Sequence, residues 1–339
     1  MSTDTAEHGG STDAPPRPLP VLAVAEGAFP AQHERLVEHV DGRATLRLAD
    51  VSSAQAVAAS TAGADAVVVT LQPLRAAHIE AMPATVRVIG RAGVGLDTID
   101  LAAAGAAGIS VVNEPTYGTH EVAGHAVAML FALQRKLGAC DRFVRDSWSG
   151  PLQLAPMKPF DETVVGIVGG GRIGAAVVAM LRNVAGEILV YDPALDEPPP
   201  GARLVSELKD LLARSDAVSL HVPLSGETAG MFDAAAIGMM RPGALLVNVA
   251  RGGIVDEEAL VAALESGQLG GAALDVFAEE PLPAGSPLHR APNTVFSPHC
   301  ASYSDRSSWR LPTWTIDDVI SFIDRREVLH GNLAVRGTR

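Results

Sequence analysis

Val164-Val165-Gly166-Ile167-Val168-Gly169-Gly170-Gly171-Arg172-Ile173-Gly174 is the stretch that decides the fold. A β-branched run leads into Gly169-x-Gly171-x-x-Gly174, and a helical segment carrying Ala175, Val178 and Leu181 follows. Gly169 permits the tight turn, Gly171 lets the backbone approach a pyrophosphate, and Gly174 lets the helix pack closely on its strand. Amides at the helix start, including those of Arg172 and Ile173, then face the phosphates. The next strand ends at Tyr191-Asp192, 18 residues after Gly174. A carboxylate there can accept hydrogen bonds from an adenosine ribose. With Pro193 and Ala194 next and no arginine to pair a 2′-phosphate, the pattern predicts NAD as cofactor in preference to NADP. The plainer alternatives are a glycine turn kept for packing and an aspartate that only caps it.

Outward from this segment the chain alternates strand-like and helix-like runs. Upstream strands are expected at Val21–Ala25, Ala44–Leu48, Ala66–Thr70, Val86–Gly90 and Ile109–Asn113, with helices near 30–40, 52–62, 75–82 and 98–107. One long helix is expected over Thr119–Arg145, then a Pro/Gly-rich connection at Ser149–Pro159. The second series places strands at Val164–Val168, Glu187–Tyr191, Ala217–His221, Ala244–Val249, Ala272–Val276 and Thr294–Ser297. Near-continuous apolar character in these runs fits parallel strands covered on both faces. A closing amphipathic helix spans about Ser304–Arg325, with Pro312 marking a late start or a kink. The rhythm implies βαβ units and an α/β fold.

Composition narrows the function classes. Hydrophobic residues are 47% and charged residues 19% of the 339, and the formal net charge is −13. Lysine occurs only at 136, 158 and 209, and no basic cluster marks a nucleic-acid footprint. No apolar run reaches the roughly 18–20 residues of a membrane span. Cys140 and Cys300 stand far apart in no metal-type spacing, so neither a disulfide scaffold nor a metal site is expected. Residues 1–18 are Ser/Thr/Asp/Gly/Pro-rich and read as a disordered tail without the apolar core of a signal peptide, which leaves the cytoplasm as the expected location.

Three segments carry side chains suited to chemistry. Asn248-Val249-Ala250-Arg251-Gly252 ends a buried-looking strand, where a parallel sheet places ligands, and the Arg251 fork can hold a carboxylate in two places. Leu274-Asp275-Val276-Phe277-Ala278-Glu279-Glu280-Pro281 and Phe296-Ser297-Pro298-His299-Cys300-Ala301 add a carboxylate and an imidazole. Each alone reads as structural. Together they suggest that Glu280 fixes the tautomer of His299 and favours its protonated form, making His299 a proton donor or acceptor. His120, Glu121 and His125 share a helix but lack a third ligand, and read as surface or interdomain residues. His221 is expected to pack beside the cofactor cleft, Tyr117 to reach substrate, and Gln72, Pro73 and Leu74 to help select it.

Taken in order, the glycine motif, His221-Val222-Pro223-Leu224, Asn248–Gly252, Asp275-Val276-Phe277, Glu280-Pro281, Pro298-His299 and the upstream Arg91-Ala92-Gly93-Val94-Gly95-Leu96-Asp97 resemble the D-isomer-specific 2-hydroxyacid dehydrogenases. Within that family the sequence is most similar to the branch of the C-terminal-binding proteins, from about residue 20 to 330. The resemblance implies a Rossmann-type dinucleotide domain (116–298) inserted in a discontinuous flavodoxin-like substrate domain (19–115 and 299–339). It implies an Arg251/Glu280/His299 triad and a small anionic substrate held by Arg251, His299 and backbone N–H groups of Gly93, Val94 and Gly95. Cofactor contacts are implied at Gly169, Gly171, Arg172, Ile173, Gly174, Asp192, Pro223, Thr228, Val249, Ala250, Arg251, Asp275 and His299, with Asp275 near the nicotinamide carboxamide. A homodimer is also implied, with no nucleic-acid or membrane partner. The expected reaction is hydride transfer between NAD and a 2-oxo/D-2-hydroxy acid pair. The alternatives are an NAD(H)-sensing interaction protein of corepressor type, and oxidation of an anion such as phosphite. Two departures bear on the substrate: Gly170 replaces a larger residue, and Ser302-Tyr303-Ser304 stands where the branch has Trp-Tyr-Ser, which predicts a roomier or more polar pocket.

Overall fold

The computed structural model describes residues 18–148, 154 and 157–339. The expected tail lies, but for Pro18, outside the described residues, as does most of the 149–159 connection. The first half alternates β1 (Val21–Ala25), α1 (His33–His39), β2 (Thr45–Ala49), α2 (Ala54–Ser60), β3 (Ala66–Val69), α3 (Ala76–Glu80), β4 (Val88–Arg91), α4 (Leu101–Ala106) and β5 (Ser110–Asn113). Two helices follow, α5 (Thr119–Gln134) and α6 (Leu137–Asp146). The second series is β6 (Val164–Val168), α7 (Arg172–Leu181), β7 (Glu187–Tyr191), β8 (Arg203–Leu204), α8 (Leu208–Arg214), β9 (Ala217–Leu220), α9 (Ala234–Met239), β10 (Ala244–Asn248), α10 (Glu257–Ser266), β11 (Leu269–Leu274) and β12 (Thr294–Phe296). The chain closes with α11 (Asp305–Arg325) and β13 (Asn332–Val335).

Two sheets result. The first has the order β13-β5-β4-β3-β1-β2, parallel except for β13, which runs antiparallel to β5. Without β13 this is the flavodoxin-like 2-1-3-4-5 order. The second runs β12-β11-β10-β9-β6-β7-β8, all parallel, which is the Rossmann order extended by one strand. β3, β4 and β5 are buried along their whole length, as strands covered on both faces must be. The α/β fold with two such units is the one expected. No helix among the described residues is long and apolar enough to cross a membrane.

The expected single helix over 119–145 is two. α5 buries Ala123, Ala126, Met129, Leu130 and Leu133, whereas α6 buries nothing. Between them Lys136 adopts the left-handed conformation at φ 50°, a break that no glycine or proline announces. β11 starts three residues before the expected Ala272 because Gly270 and Gly271 belong to it: a Cβ on Gly270 would lie 2.4 Å from the Gly243 carbonyl oxygen. Pro312 does not mark the start of α11. The helix begins at Asp305, where the Ser304 hydroxyl accepts the Ser307 N–H at 3.0 Å, and it runs through Pro312.

The chain passes between the sheets twice. α5 packs on α7, β10, β11 and β12, and α11 packs on β3, β4 and β5. Between them, Glu121 on α5 pairs with Arg306 of α11 at 2.7 Å. At the end of β5 Glu114 is fully buried beside Asp318, and neither of its oxygens has a hydrogen-bond partner. Asp318 accepts the N–H groups of Leu329, His330 and Gly331 at 2.7–2.9 Å, which fixes the entry to β13. Burial first, and the Asp318 charge second, push the Glu114 carboxyl up to about 8.

Candidate active site

The glycine turn between β6 and α7 sets one wall of the cleft. Gly169 sits at φ 95°, and a Cβ there would come within 2.8 Å of the His221 backbone. A Cβ on Gly174 would lie 2.0 Å from the Gly169 carbonyl oxygen, whereas one on Gly171 would meet nothing within 4 Å. Gly174 is thus required by the protein itself, and Gly171 faces open space. No side chain caps α7, so the N–H groups of its first turn, at Arg172 and Ile173, are free for an anion. Gly170 is closely fitted: a Cβ there would lie 2.5 Å from Leu195 Cδ1.

Asp192, at the end of β7, accepts the Gly170 N–H at 2.9 Å through Oδ2 and the Ala194 N–H at 2.9 Å through Oδ1. It therefore braces the glycine turn and presents its carboxylate beside it. Beyond β9, Thr228 donates to the Pro223 carbonyl at 2.6 Å and accepts the Ser225 N–H at 2.8 Å, closing a compact turn. His221 is partly buried, with Nε2 2.9 Å from Ser219 Oγ and Nδ1 shut off from solvent, and burial of the ring pushes it down to about 3, so it is a neutral packing residue.

Arg251 follows β10. Asn248 braces its approach, accepting the Ala250 N–H at 3.0 Å and donating to the Arg251 carbonyl at 2.8 Å, while Val249 is buried. A Cβ on Gly252 would lie 1.9 Å from the Phe277 carbonyl carbon, so the loops after β10 and β11 run in direct backbone contact. The guanidinium reaches the other unit, where Nε donates to Asp97 Oδ1 at 3.0 Å. It lies over the Gly93–Gly95 loop, and a Cβ on Gly95 would stand 1.6 Å from Arg251 Nη2.

His299 is held on the far side. Its Nδ1 lies 2.7 Å from Glu280 Oε2, and Glu280 Oε1 accepts the Phe277 N–H at 3.0 Å. Burial works against ionisation of Glu280, but the hydrogen bonds from His299 and Phe277 outweigh it and hold the carboxyl below its ordinary range. His299 takes the left-handed conformation at φ 52°, and its N–H donates to the Asp275 carbonyl at 2.7 Å. The Asp275 side chain is 1% exposed and accepts from Ser297 Oγ at 2.5 Å, Cys300 N–H at 2.9 Å and Ala301 N–H at 3.0 Å. It thus organises the segment that carries His299.

Two groups here were not singled out from the sequence. Arg91, at the end of β4, is 4% exposed with no partner on Nε. Burial, then the neighbouring Arg251, lower it to about 10, which leaves it charged. Its Nη1 would meet a Cβ on Gly93 at 1.4 Å, so both arginines converge on the glycine loop. Asp97 is the second. The visible signal was a charged residue at a strand end, inside a run read for its glycines. Tyr117 is buried beside the two arginines, with Ser302 as a hydrogen-bonding neighbour. Tyr303 is 73% exposed and Gln72 binds the backbone of Thr70.

Known proteins share this fold. Residues 127–301 match the D-isomer specific 2-hydroxyacid dehydrogenase family in its NAD binding domain. The chain is 36% identical over 304 residues to a D-3-phosphoglycerate dehydrogenase of Mycobacterium tuberculosis, covering 89% of this chain and 56% of that protein. It therefore spans about half the length of that relative. A glyoxylate reductase of Korarchaeum cryptofilum is 38% identical over 258 residues, 74% of this chain and 76% of that one. The crystal structure of an NADPH-dependent glyoxylate/hydroxypyruvate reductase from Sinorhizobium meliloti, with NADP and malonate, superposes with a TM-score of 0.85 at 27% identity over 94% of this chain and 98% of that one. A nucleotide half matched along its length, and a relative of similar extent, lead to one assignment: the chain belongs to the D-isomer-specific 2-hydroxyacid dehydrogenase family.

Proposed function

We propose that the protein is an NAD-dependent oxidoreductase interconverting a 2-oxo acid and its D-2-hydroxy acid. The observation that carries the reading is the 2.7 Å His299–Glu280 couple, whose carboxylate feels the charge of Arg251, itself lying over the Gly93–Gly95 loop. The same reading divides the chain into 19–115 with 299–339 and an inserted 116–298, supported by α5 packing on the second sheet and α11 on the first.

The glycine turn fits a dinucleotide, since Gly171 leaves space beside uncapped helix N–H groups. Gly169, Gly171, Arg172, Ile173 and Gly174 would hold the pyrophosphate and Asp192 the adenosine ribose, where its negative charge disfavours a 2′-phosphate. Pro223, Thr228, Val249, Ala250, Arg251, Asp275 and His299 would line the remainder. The nicotinamide, when bound, supplies or accepts the hydride at C2 of the substrate.

The chain's own residues do the rest. Arg251 and the N–H groups of Gly93, Val94 and Gly95 bind the substrate carboxylate and orient the adjacent carbonyl. Glu280 accepts a hydrogen bond from the Nδ1–H of His299, which fixes the tautomer and leaves Nε2 for the substrate oxygen. In reduction His299 Nε2 gives that oxygen a proton as C2 gains the hydride. In oxidation it takes the proton back. The ion pair with Glu280 stabilises the charged ring in either direction.

The test is NADH oxidation by the purified protein against glyoxylate, hydroxypyruvate, phenylpyruvate and phosphonopyruvate, with NADPH as control. Turnover of one acid with NADH supports the reading and reports the pocket's preference. NADH binding without turnover of any acid would remove it.

A further inference from the structure

His125 of α5, Asp275 after β11 and Cys300 after β12 come from three separate elements, yet one ligand atom of each lies within 4.8 Å of the others. Ser297 Oγ stands among them, 2.9 Å from His125 Nε2 and 2.5 Å from Asp275 Oδ1. The His125–Asp275 separation is 3.8 Å. Zinc bonds of about 2.0–2.3 Å at tetrahedral angles put neighbouring donors about 3.3–3.6 Å apart. The edges of 2.5, 2.9 and 3.8 Å among His125, Ser297 and Asp275 bracket that spacing, and the Cys300 ligand atom lies within 4.8 Å of those of His125 and Asp275, so shifts of up to about an ångström bring the donors to it.

Charge points the same way. Asp275 is 1% exposed, and among the described residues its ion-pair partner is His125, with no lysine or arginine against it. A carboxylate this deep meets its charge only through neutral donors and an imidazole. His125 and Cys300 remain partly exposed, which gives an ion a way in.

We propose that His125, Asp275 and Cys300, with Ser297 as the fourth donor, form a zinc-binding site beside His299. The donors name the metal class. Thiolate and imidazole select zinc-like cations over magnesium or calcium, which require oxygen shells. On binding, the Cys300 thiol loses its proton to solvent, and thiolate plus carboxylate balance the two positive charges of the ion. The ion ties α5 to the 297–301 segment, whose backbone carries His299, and so fixes that segment independently of substrate.

The test titrates Zn2+ into the full chain against a chromophoric chelator, and Co2+ with absorption read for a thiolate-to-metal band. Wild type and Cys140→Ala should bind one tight equivalent and show the band. Cys300→Ser and His125→Ala should bind at least tenfold more weakly, and the band should vanish in Cys300→Ser. Circular dichroism and NADH binding by both variants show that the fold survives. Equal Zn2+ affinity in all four proteins, or a cobalt spectrum without a thiolate band, would overturn the site whatever the enzyme's substrate proves to be.

Discussion

His299 Nδ1 and Glu280 Oε2 are 2.7 Å apart, although 19 residues and a β-strand separate them in the chain. His299→Ala should lower kcat by roughly two to four orders of magnitude. Glu280→Gln keeps an acceptor for Nδ1 but removes the carboxylate charge beside the ring, so kcat should fall while NADH binding holds. An unchanged kcat in Glu280→Gln would exclude the couple from catalysis.

Arg251 offers a prediction about geometry as distinct from charge. Lysine in its place keeps the positive charge but loses the fork that spans Asp97 and the glycine loop. Loss of a charge-assisted hydrogen bond worth about 1.5–3 kcal/mol predicts a ten- to hundredfold lower kcat/KM for Arg251→Lys. Steady-state kinetics on the best substrate provide the check, and an unchanged value would place the carboxylate elsewhere.

Gly171 and Gly174, three positions apart in a single turn, should respond oppositely. Gly174→Ala drives a methyl to 2.0 Å from the Gly169 carbonyl oxygen, so Tm should fall and NADH binding with it. Gly171→Ala puts its methyl into open space, so Tm should hold while the Kd for NADH rises at least tenfold. Calorimetry and fluorescence titration separate the two. Undiminished NADH binding by Gly171→Ala would mean that the pyrophosphate lies elsewhere.

Glu114 gives a stability prediction with a defined sign. Its carboxyl rises from 4.5 to about 8 in the folded protein. Between those values the folded chain holds a proton that the unfolded chain has released, so stability falls as pH rises through the window. Glu114→Gln mimics the protonated group and should flatten that fall by up to about 1.4 kcal/mol per pH unit. Urea unfolding at pH 5 and pH 8 measures it. Equal slopes for the variant and wild type would show that the group is not buried as described.

Much of this was legible in the sequence where local rules act alone. Val164–Val168 and Glu187–Tyr191 form strands with the expected bounds because burial on both faces demands unbroken apolar runs. Gly169 and Gly174 were readable because each meets a steric demand inside the protein, and Gly171 because the motif keeps space open beside the turn. What escaped depends on partners far along the chain. Lys136 breaks a helix because the apolar stripe of α5 ends there, with no punctuating residue. β13 exists only as a partner for β5, over 200 residues upstream. Arg91 reads as an ordinary strand-end charge until Arg251 arrives beside it from the other unit. His125 finds Ser297 across 172 residues, which no spacing rule connects.

β13 has a consequence for how copies of this chain behave toward one another. By pairing antiparallel with β5 it blunts one border of the first sheet and leaves β2 as the other, where Arg47 spends a guanidinium nitrogen on the carbonyls of Ser60 and Ala62. β5 is apolar-faced and buried throughout, so a chain shorn of β13 would bare a row of unpaired amides beside Val111 and Val112. That is a template for strand addition from another molecule. β13 thus covers the amides of β5, a task separate from the chemistry of the cleft.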